Sequence, residues 1–365
     1  MKRLHFVHLR ERKHSGEKNM AHNTRKHLTG TVAAVLVLIT VLSAGCIGSS
    51  PDNSVTPVPT TAATPVPTAA GTTAPDLTSV PTVFLTSEIS PEGLMKVYNA
   101  LNRTADGNVA IKIHMGEYGN TNYLSPNLIR ELVLSVNGTF VDCNTAYGGQ
   151  RASTAMHLQV ARDHGFTYAP VDILDADGEI ELPVHGGTRL ENALIGSHYE
   201  NYTSLISIAH FKGHAMAGFG GTFKNLGVGL SSASGKGLVH GNGQGGGLFS
   251  ASTDQFLEQV AEAAKAVIDD KGEGIVYINV LNNLSVDCDC DANAAHPEMD
   301  DIGILASLDP VAIDRAGVDL IYAAPADQNQ HLVERIESRN GTHLLDYAEQ
   351  LGLGSQTYTL VRLDA

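Results

Sequence analysis

From Val83 onward, short apolar runs and amphipathic stretches take turns along the chain. The segments "VFLTS", "NVAIKIHM", "TFVDCN", "VDILDA", "SLISIAHF", "GIVYINVL", "DIGILAS" and "TYTLVRL" are strand-length and mostly rich in branched apolar residues. That length and composition predict strands. Between the first two, Ser90 and Pro91 open a helix, and "SPNLIRELVLSV" repeats the Ser-Pro start. Proline suits a first helical position, where no N–H is needed, and serine suits the cap before it. Further helices are predicted at "ASTAMHLQVARDHG", at "TDQFLEQVAEAAKAVIDD" with Thr253 as its cap, at "DPVAIDRAGVDLIYAA" behind Asp309 and Pro310, and twice near the C-terminus. Repeated strand–helix units predict an α/β fold, a mainly parallel sheet with helices on both faces. Ligands of such sheets gather beyond the carboxyl ends of the strands.

The first quarter of the chain breaks this pattern. Basic residues crowd the start, and "TGTVAAVLVLITVLSAG" then runs apolar into small residues before Cys46. A basic region, an apolar stretch of about 15 residues and a small-residue end form the layout of a secretory signal. The stretch is short for a spanning helix, although an uncleaved signal anchor has the same layout. Met20 offers a second possible start, because "MAHNTRKH" is itself a basic leader. "LSAGC" at 42–46 resembles a lipobox, with Ser43 where that motif usually has leucine; the resemblance implies a lipid on Cys46. Residues 47–82 form a Thr/Pro/Ala tract that cannot build a core and is expected to be an extended, disordered stalk. The expected division is 1–46 signal peptide, 47–82 linker and 83–365 α/β domain. Sequons at Asn102, Asn137, Asn201, Asn283 and Asn340 are candidate sugar acceptors.

Charge sharpens this division. The chain carries 24 Lys and Arg against 39 Asp and Glu, and eight of the basic residues precede Cys46. The remainder is strongly acidic, which argues against a nucleic-acid partner. The expected setting is the extracytoplasmic face of a cell membrane, with the membrane itself as partner through the N-terminal lipid or signal anchor. Cysteine is sparse, at positions 46, 143, 288 and 290. That is too few for a disulfide scaffold, and residues two apart pair poorly, so "DCDCD" suggests ligands or a reducing habitat.

Polar clusters follow four of the expected strands: Lys112, His114 and Glu117; Asp142 and Cys143; His210, Lys212 and His214; and Asp287 to Asp291. Four strand ends with this chemistry imply one cleft. Lys112 and His114 alternate with Ile111 and Ile113, so they share a strand face, which an edge position would explain equally well. At strand spacing Cys288 and Cys290 share one side, with Asp287, Asp289 and Asp291 on the other. Two soft ligands suit zinc or an iron–sulfur centre better than magnesium or calcium. The glycines of "AGFGGTFKNLGVG" allow backbone N–H groups at Gly220 and Gly221 to approach an anion, with Lys224 as the charge and Lys236 beyond it. The run is neither a complete G-x-G-x-x-G nor a P-loop. A lysine and imidazole pair in a shielded cleft suits proton abstraction beside a carbonyl. As plain scaffold, the same histidines would be satisfied core or cap residues, and "DCDCD" an acidic loop with inert thiols.

Together "KIHMGEYGN", "HFKGHAMAGFGGTFKNLGVG", "SGKGLVH", "DCDC" and "DIGILASLDPVAIDRAGVDLI" resemble the domain-of-unknown-function family 362 (DUF362). Many of its members carry an inserted ferredoxin-like segment, where this chain has "GNGQGGGLFSAS" instead. A more distant resemblance is to the nickel-dependent lactate racemases: His214, then a glycine turn ending at Lys224, then His240. This resemblance implies an acid/base role for His214, an anchoring role for Lys224 and metal ligation by His240. Thr222 and Phe223 depart from its Gly-Arg before the lysine.

The expected function is a cell-surface metal-binding protein with an anionic small-molecule ligand. The metal set is His210, His240, Cys288, Cys290 and Asp287. Ligand-binding positions are Lys112, His114, Gly220, Gly221 and Lys236. Acid/base positions are His214, Lys224 and Lys212, and if the protein is an enzyme its chemistry is metal-assisted proton transfer next to a carbonyl. The cofactor is a divalent metal or an iron–sulfur centre. The alternatives are a non-catalytic lipid-anchored binding protein and an iron–sulfur redox protein.

Overall fold

The computed structural model describes residues 80–242 and 247–364. The expected signal peptide, Met20, Cys46 and the expected stalk up to residue 79 lie outside the described residues. No described helix is long and apolar enough to cross a membrane.

The elements run β1 (Thr82–Thr86), α1 (Pro91–Ala100), β2 (Val109–Lys112), α2 (Pro126–Ser135), β3 (Thr139–Asp142), α3 (Thr154–Asp163) and β4 (Val171–Ile173). A hairpin of β5 (Glu179–Pro183) and β6 (Asn192–Gly196) follows. Then come β7 (Ser204–His210), the small pair β8 (Lys212–His214) and β9 (Gly218–Gly220), α4 (Thr222–Gly227) and α5 (Ala233–His240). The chain closes with α6 (Thr253–Lys271), β10 (Ile275–Leu281), β11 (Gly303–Ser307), α7 (Pro310–Tyr322), α8 (Ala326–Ser338), α9 (His343–Gln350) and β12 (Thr359–Arg362).

Eight strands form one sheet in the order β12-β1-β11-β10-β7-β2-β3-β4. From β10 to β4 every pairing is parallel, and β11 runs against both of its neighbours. The expected mainly parallel sheet is therefore present, with one reversed strand.

Strand alternation divides the core into two layers. Val109, Ile111, Ile206 and Ile208 pack with Leu94, Val97, Leu128, Ile129 and Ala161 of α1, α2 and α3. Ala110, Leu205, Tyr277 and Leu305 point to the opposite face, against α4, α6, α7 and α9. On that side Phe256, Leu257, Val260 and Val267 of α6 are fully buried, each contributing roughly 1.5–3 kcal/mol. Burial on this scale offsets the cost, roughly several kcal/mol per ion, of enclosing charged groups at the strand ends.

The helix starts follow the capping signals with one shift. Ser90 accepts from Gly93 N, and Asp309 accepts from Ala312 N. For α6 the cap is Ser252 rather than Thr253, because Ser252 and Gln255 form a reciprocal capping box. The sequons also have a conformational reading. Asn102, Asn137, Asn283 and Asn340 all adopt positive φ, the left-handed turn that asparagine tolerates better than most residues.

Candidate functional site

β2, β3, β7 and β10 end side by side, and their carboxyl ends carry Lys112, Asp142, His210 and the loop 282–302. β8 and β9 rise from the end of β7 and lead through Gly221 into α4. These pieces enclose a cavity of about 50 Å³. Of the residues singled out in the sequence, Lys112, His114, His210, Lys212, Gly220, Gly221, Lys224, Lys236, Cys288 and Cys290 line it.

Lys112 reaches the cavity through the core. It is 1% exposed, and its ammonium lies 3.2 Å from Asp142 and donates to Asn225 Oδ1 at 3.1 Å. A Cβ on Gly229 would stand 2.4 Å from Lys112 Cε, so glycine is needed there for the side chain to pass. Asn225 in turn donates to Lys112 O and Ser207 Oγ, which fastens α4 to the sheet. Asp142 also lies 3.7 Å from Arg151 and 3.5 Å from His157. Burial opposes its charge, but Lys112 and His157 hold its carboxyl well below the usual range. Burial pulls Lys112 below its ordinary value, an effect that Asp142 limits.

Asp289 organises a second group. Its carboxylate accepts from Lys212 Nζ at 2.7 Å and pairs with His210 Nδ1 at 2.9 Å, while His210 Nε2 meets Asn282 O at 2.6 Å. Both His210 nitrogens are thus occupied. Burial works against Lys212 as a cation, yet Asp289 raises its pKa overall.

His214, Cys288 and Cys290 form the candidate metal cluster, with potential ligand atoms all within 4.8 Å of one another. The alternation expected of "DCDCD" holds only for Cys288, Asp289 and Cys290, because the segment is a loop: the two cysteines turn to His214, Asp289 turns to His210 and Lys212, and Asp287 turns to Arg335 instead. Gly213 makes this approach possible, because a Cβ there would stand 2.2 Å from Val286 O. Its N–H also donates to Ser285 O at 2.8 Å. His214 Nδ1 accepts from Met216 N and Ala217 N, leaving Nε2 for the thiols. Burial, with Lys224 adding to it, lowers the His214 pKa to about 4, so the ring is neutral. A hydrogen bond from Cys290 holds the Cys288 thiol well below its ordinary value, and the Cys290 thiol rises correspondingly.

Three expected ligands stand apart from this cluster, and His214, expected as an acid/base, takes their place in it. His210 is one of the three, both of its ring nitrogens being committed to Asp289 and Asn282 O. Asp287 bonds Ala295 N and Arg335. His240 Nδ1 meets Lys236 O at 2.7 Å, and the His240 ring packs 5.0 Å from Phe256, centroid to centroid. Burial lowers the His240 pKa to about 3. Cys143 donates to Leu230 O, and burial pushes its thiol up to about 12.

Arg151, Tyr147 and Asn225 also line the cavity and were not anticipated. Arg151 is 2% exposed and pairs with Glu117 at 3.2 Å. Its sequence signal was faint, a single arginine in a polar loop after β3. Asn225 had a better one, a polar side chain on the short apolar helix that carries Lys224.

A family profile described as "Domain of unknown function (DUF362)" matches residues 109–319, more than half of the 365-residue chain. No curated protein matches the chain. Among solved structures, the lactate racemase apoprotein from Thermoanaerobacterium thermosaccharolyticum is 14% identical with a TM-score of 0.38, covering 65% of this chain and 56% of that one. A Thermotoga maritima protein from a structural genomics consortium is 10% identical with a TM-score of 0.32, covering 71% of this chain and 58% of that one. The chain therefore spans little more than half the length of either.

Proposed function

The chain belongs to the DUF362 family, and from that premise we propose that it binds a divalent metal ion through His214, Cys288 and Cys290, beside a cavity that takes a small anionic ligand. One observation carries this reading: an imidazole and two thiols converge at the rim of a cavity lined by four lysines and an arginine. Two sulfur donors and one nitrogen suit zinc or another late divalent metal rather than an ion that prefers oxygen. Three protein ligands are one fewer than structural zinc sites use, leaving a position for water or ligand. The support is for a single ion, because an iron–sulfur cluster takes about four cysteines and the remaining described one, Cys143, is committed to Leu230 O. A metal ion ligates cysteine as thiolate, so its uptake is expected to release protons.

In the same reading the domain stands outside the cytoplasmic membrane. The basic, apolar and small-residue order before Cys46 supports that placement, as does the Thr/Pro tract after it.

The test is elemental analysis of anaerobically purified protein beside a Cys288→Ser, Cys290→Ser variant. The wild type is expected to carry close to one equivalent of metal and the double variant little. Equal metal in both would remove the cysteines from the site. Thermal stabilisation of the wild type by small anions without any bound metal would instead favour a plain binding protein.

A further inference from the structure

The cations around the cavity are not equivalent. Lys112 is matched by Asp142 at 3.2 Å, Arg151 by Glu117 at 3.2 Å and Lys212 by Asp289 at 2.7 Å. Lys224 and Lys236 also line the cavity, and among the described residues neither forms an ion pair. Lys236 is 3% exposed, and its ammonium donates to two backbone carbonyls, Ser231 O at 2.7 Å and Cys143 O at 3.3 Å. An ammonium has three N–H donors, so one is left over. A buried cation without an ion-pair partner costs roughly several kcal/mol, and an anion entering the cavity offsets that cost.

Size and charge narrow the class of anion. A single water needs about 10–15 Å³ of such space, so the cavity's volume of about 50 Å³ suits a group of a few heavy atoms. Its lining presents two cations without an ion-pair partner among the described residues, Lys224 and Lys236, which calls for a negatively charged group.

Taking the cavity as the ligand site put forward above, we infer that its ligand presents a compact oxyanion, a carboxylate or a phosphate-sized group, held between Lys224 and Lys236. The matched cations shape the wall, and these two supply the attraction.

Equilibrium dialysis of the full-length protein against radiolabelled acetate, and separately against inorganic phosphate, tests this. Lys224→Met and Lys236→Met are each expected to weaken binding about tenfold or more, the loss of one charged hydrogen bond. Lys224→Arg, which keeps the charge on a half-buried position, is expected to stay close to wild type, and a cooperative unfolding transition in each methionine variant separates lost binding from misfolding. Preference for acetate identifies a carboxylate, and preference for phosphate a dianion. Wild-type protein that binds neither anion, or methionine variants that bind as the wild type does, would overturn the inference. Metal content measured on the same samples separates the two readings. Failed anion binding with the metal retained sinks this inference alone, and intact anion binding without metal sinks the metal site alone.

Discussion

The Asp289 carboxylate accepts from the Lys212 ammonium at 2.7 Å, and both side chains are withdrawn from solvent. The same carboxylate pairs with His210, so one acid ties the end of β7 to the cysteine loop. Replacing Asp289 by alanine strands a buried ammonium and frees the loop. The expected cost is about 3–5 kcal/mol, read by denaturant unfolding, together with reduced metal content. A loss below about 1 kcal/mol would mean that water replaces the carboxylate.

Gly213 is a sharper probe because it contributes no ligand. A Cβ at that position meets the Val286 carbonyl, which is backbone and cannot swing aside. Gly213→Ala is expected to push the loop away from His214, costing about 1–3 kcal/mol and lowering metal content although all three proposed ligands remain. Unchanged metal content would show that the loop accommodates the methyl group.

Asp314 tests the support beneath Lys224. Its carboxylate accepts from Thr222 N, Phe223 N and Asn279 Nδ2, fastening the start of α4. Burial raises its pKa to about 6 despite these donors. The folded chain therefore holds this proton in a range where an unfolded aspartate, with a value of about 3.9, has released it. The contribution is full below about pH 4 and lost as pH rises through about 6. Compared with Asp314→Asn, the wild type is expected to lose stability between those values; parallel denaturation curves across that range would contradict the assignment.

His198 has the reverse character to a buried histidine. It bridges Asp172 at 2.7 Å and Asp177 at 2.9 Å, and the hydrogen bond it donates to Asp172 leads in raising its pKa. Its stabilisation is complete below the unfolded value of about 6.5 and disappears as pH rises through the higher folded value. The group is partly solvated, so His198→Gln is expected to cost only about 0.5–1 kcal/mol in mild acid and nothing in alkali. A penalty that persists in alkali would indicate packing rather than charge.

Much of this molecule is legible in its sequence because the signals are local. Ser90-Pro91 and Asp309-Pro310 mark helix starts through groups three residues away, and apolar runs such as "SLISIAH" betray fully buried strands. Clusters at strand ends meet because parallel strands must end together. What local pattern does not carry is direction and partner choice. Nothing within "GILAS" states that β11 runs backwards, since the long loop before it permits either sense. The β5–β6 hairpin went unread because its outward polar residues, as in "EIELP", lower the hydrophobic signal. Likewise Asp287 and Asp289 look alike in "DCDCD", and Arg335 and Lys212, which separate their roles, lie far away along the chain.

The reversal of β11 has an architectural consequence. A crossover between parallel strands would carry the chain to the far end of the sheet and back, but here residues 282–302 depart and return at the same rim, like a handle fixed at both ends. A handle can grow, shrink or be exchanged without shifting strand register, whereas Lys112, Lys224 and Lys236 are built into strand and helix. The thiol-bearing part of the candidate site thus rides on a loop tethered at both ends, while its lysines are part of the frame beneath.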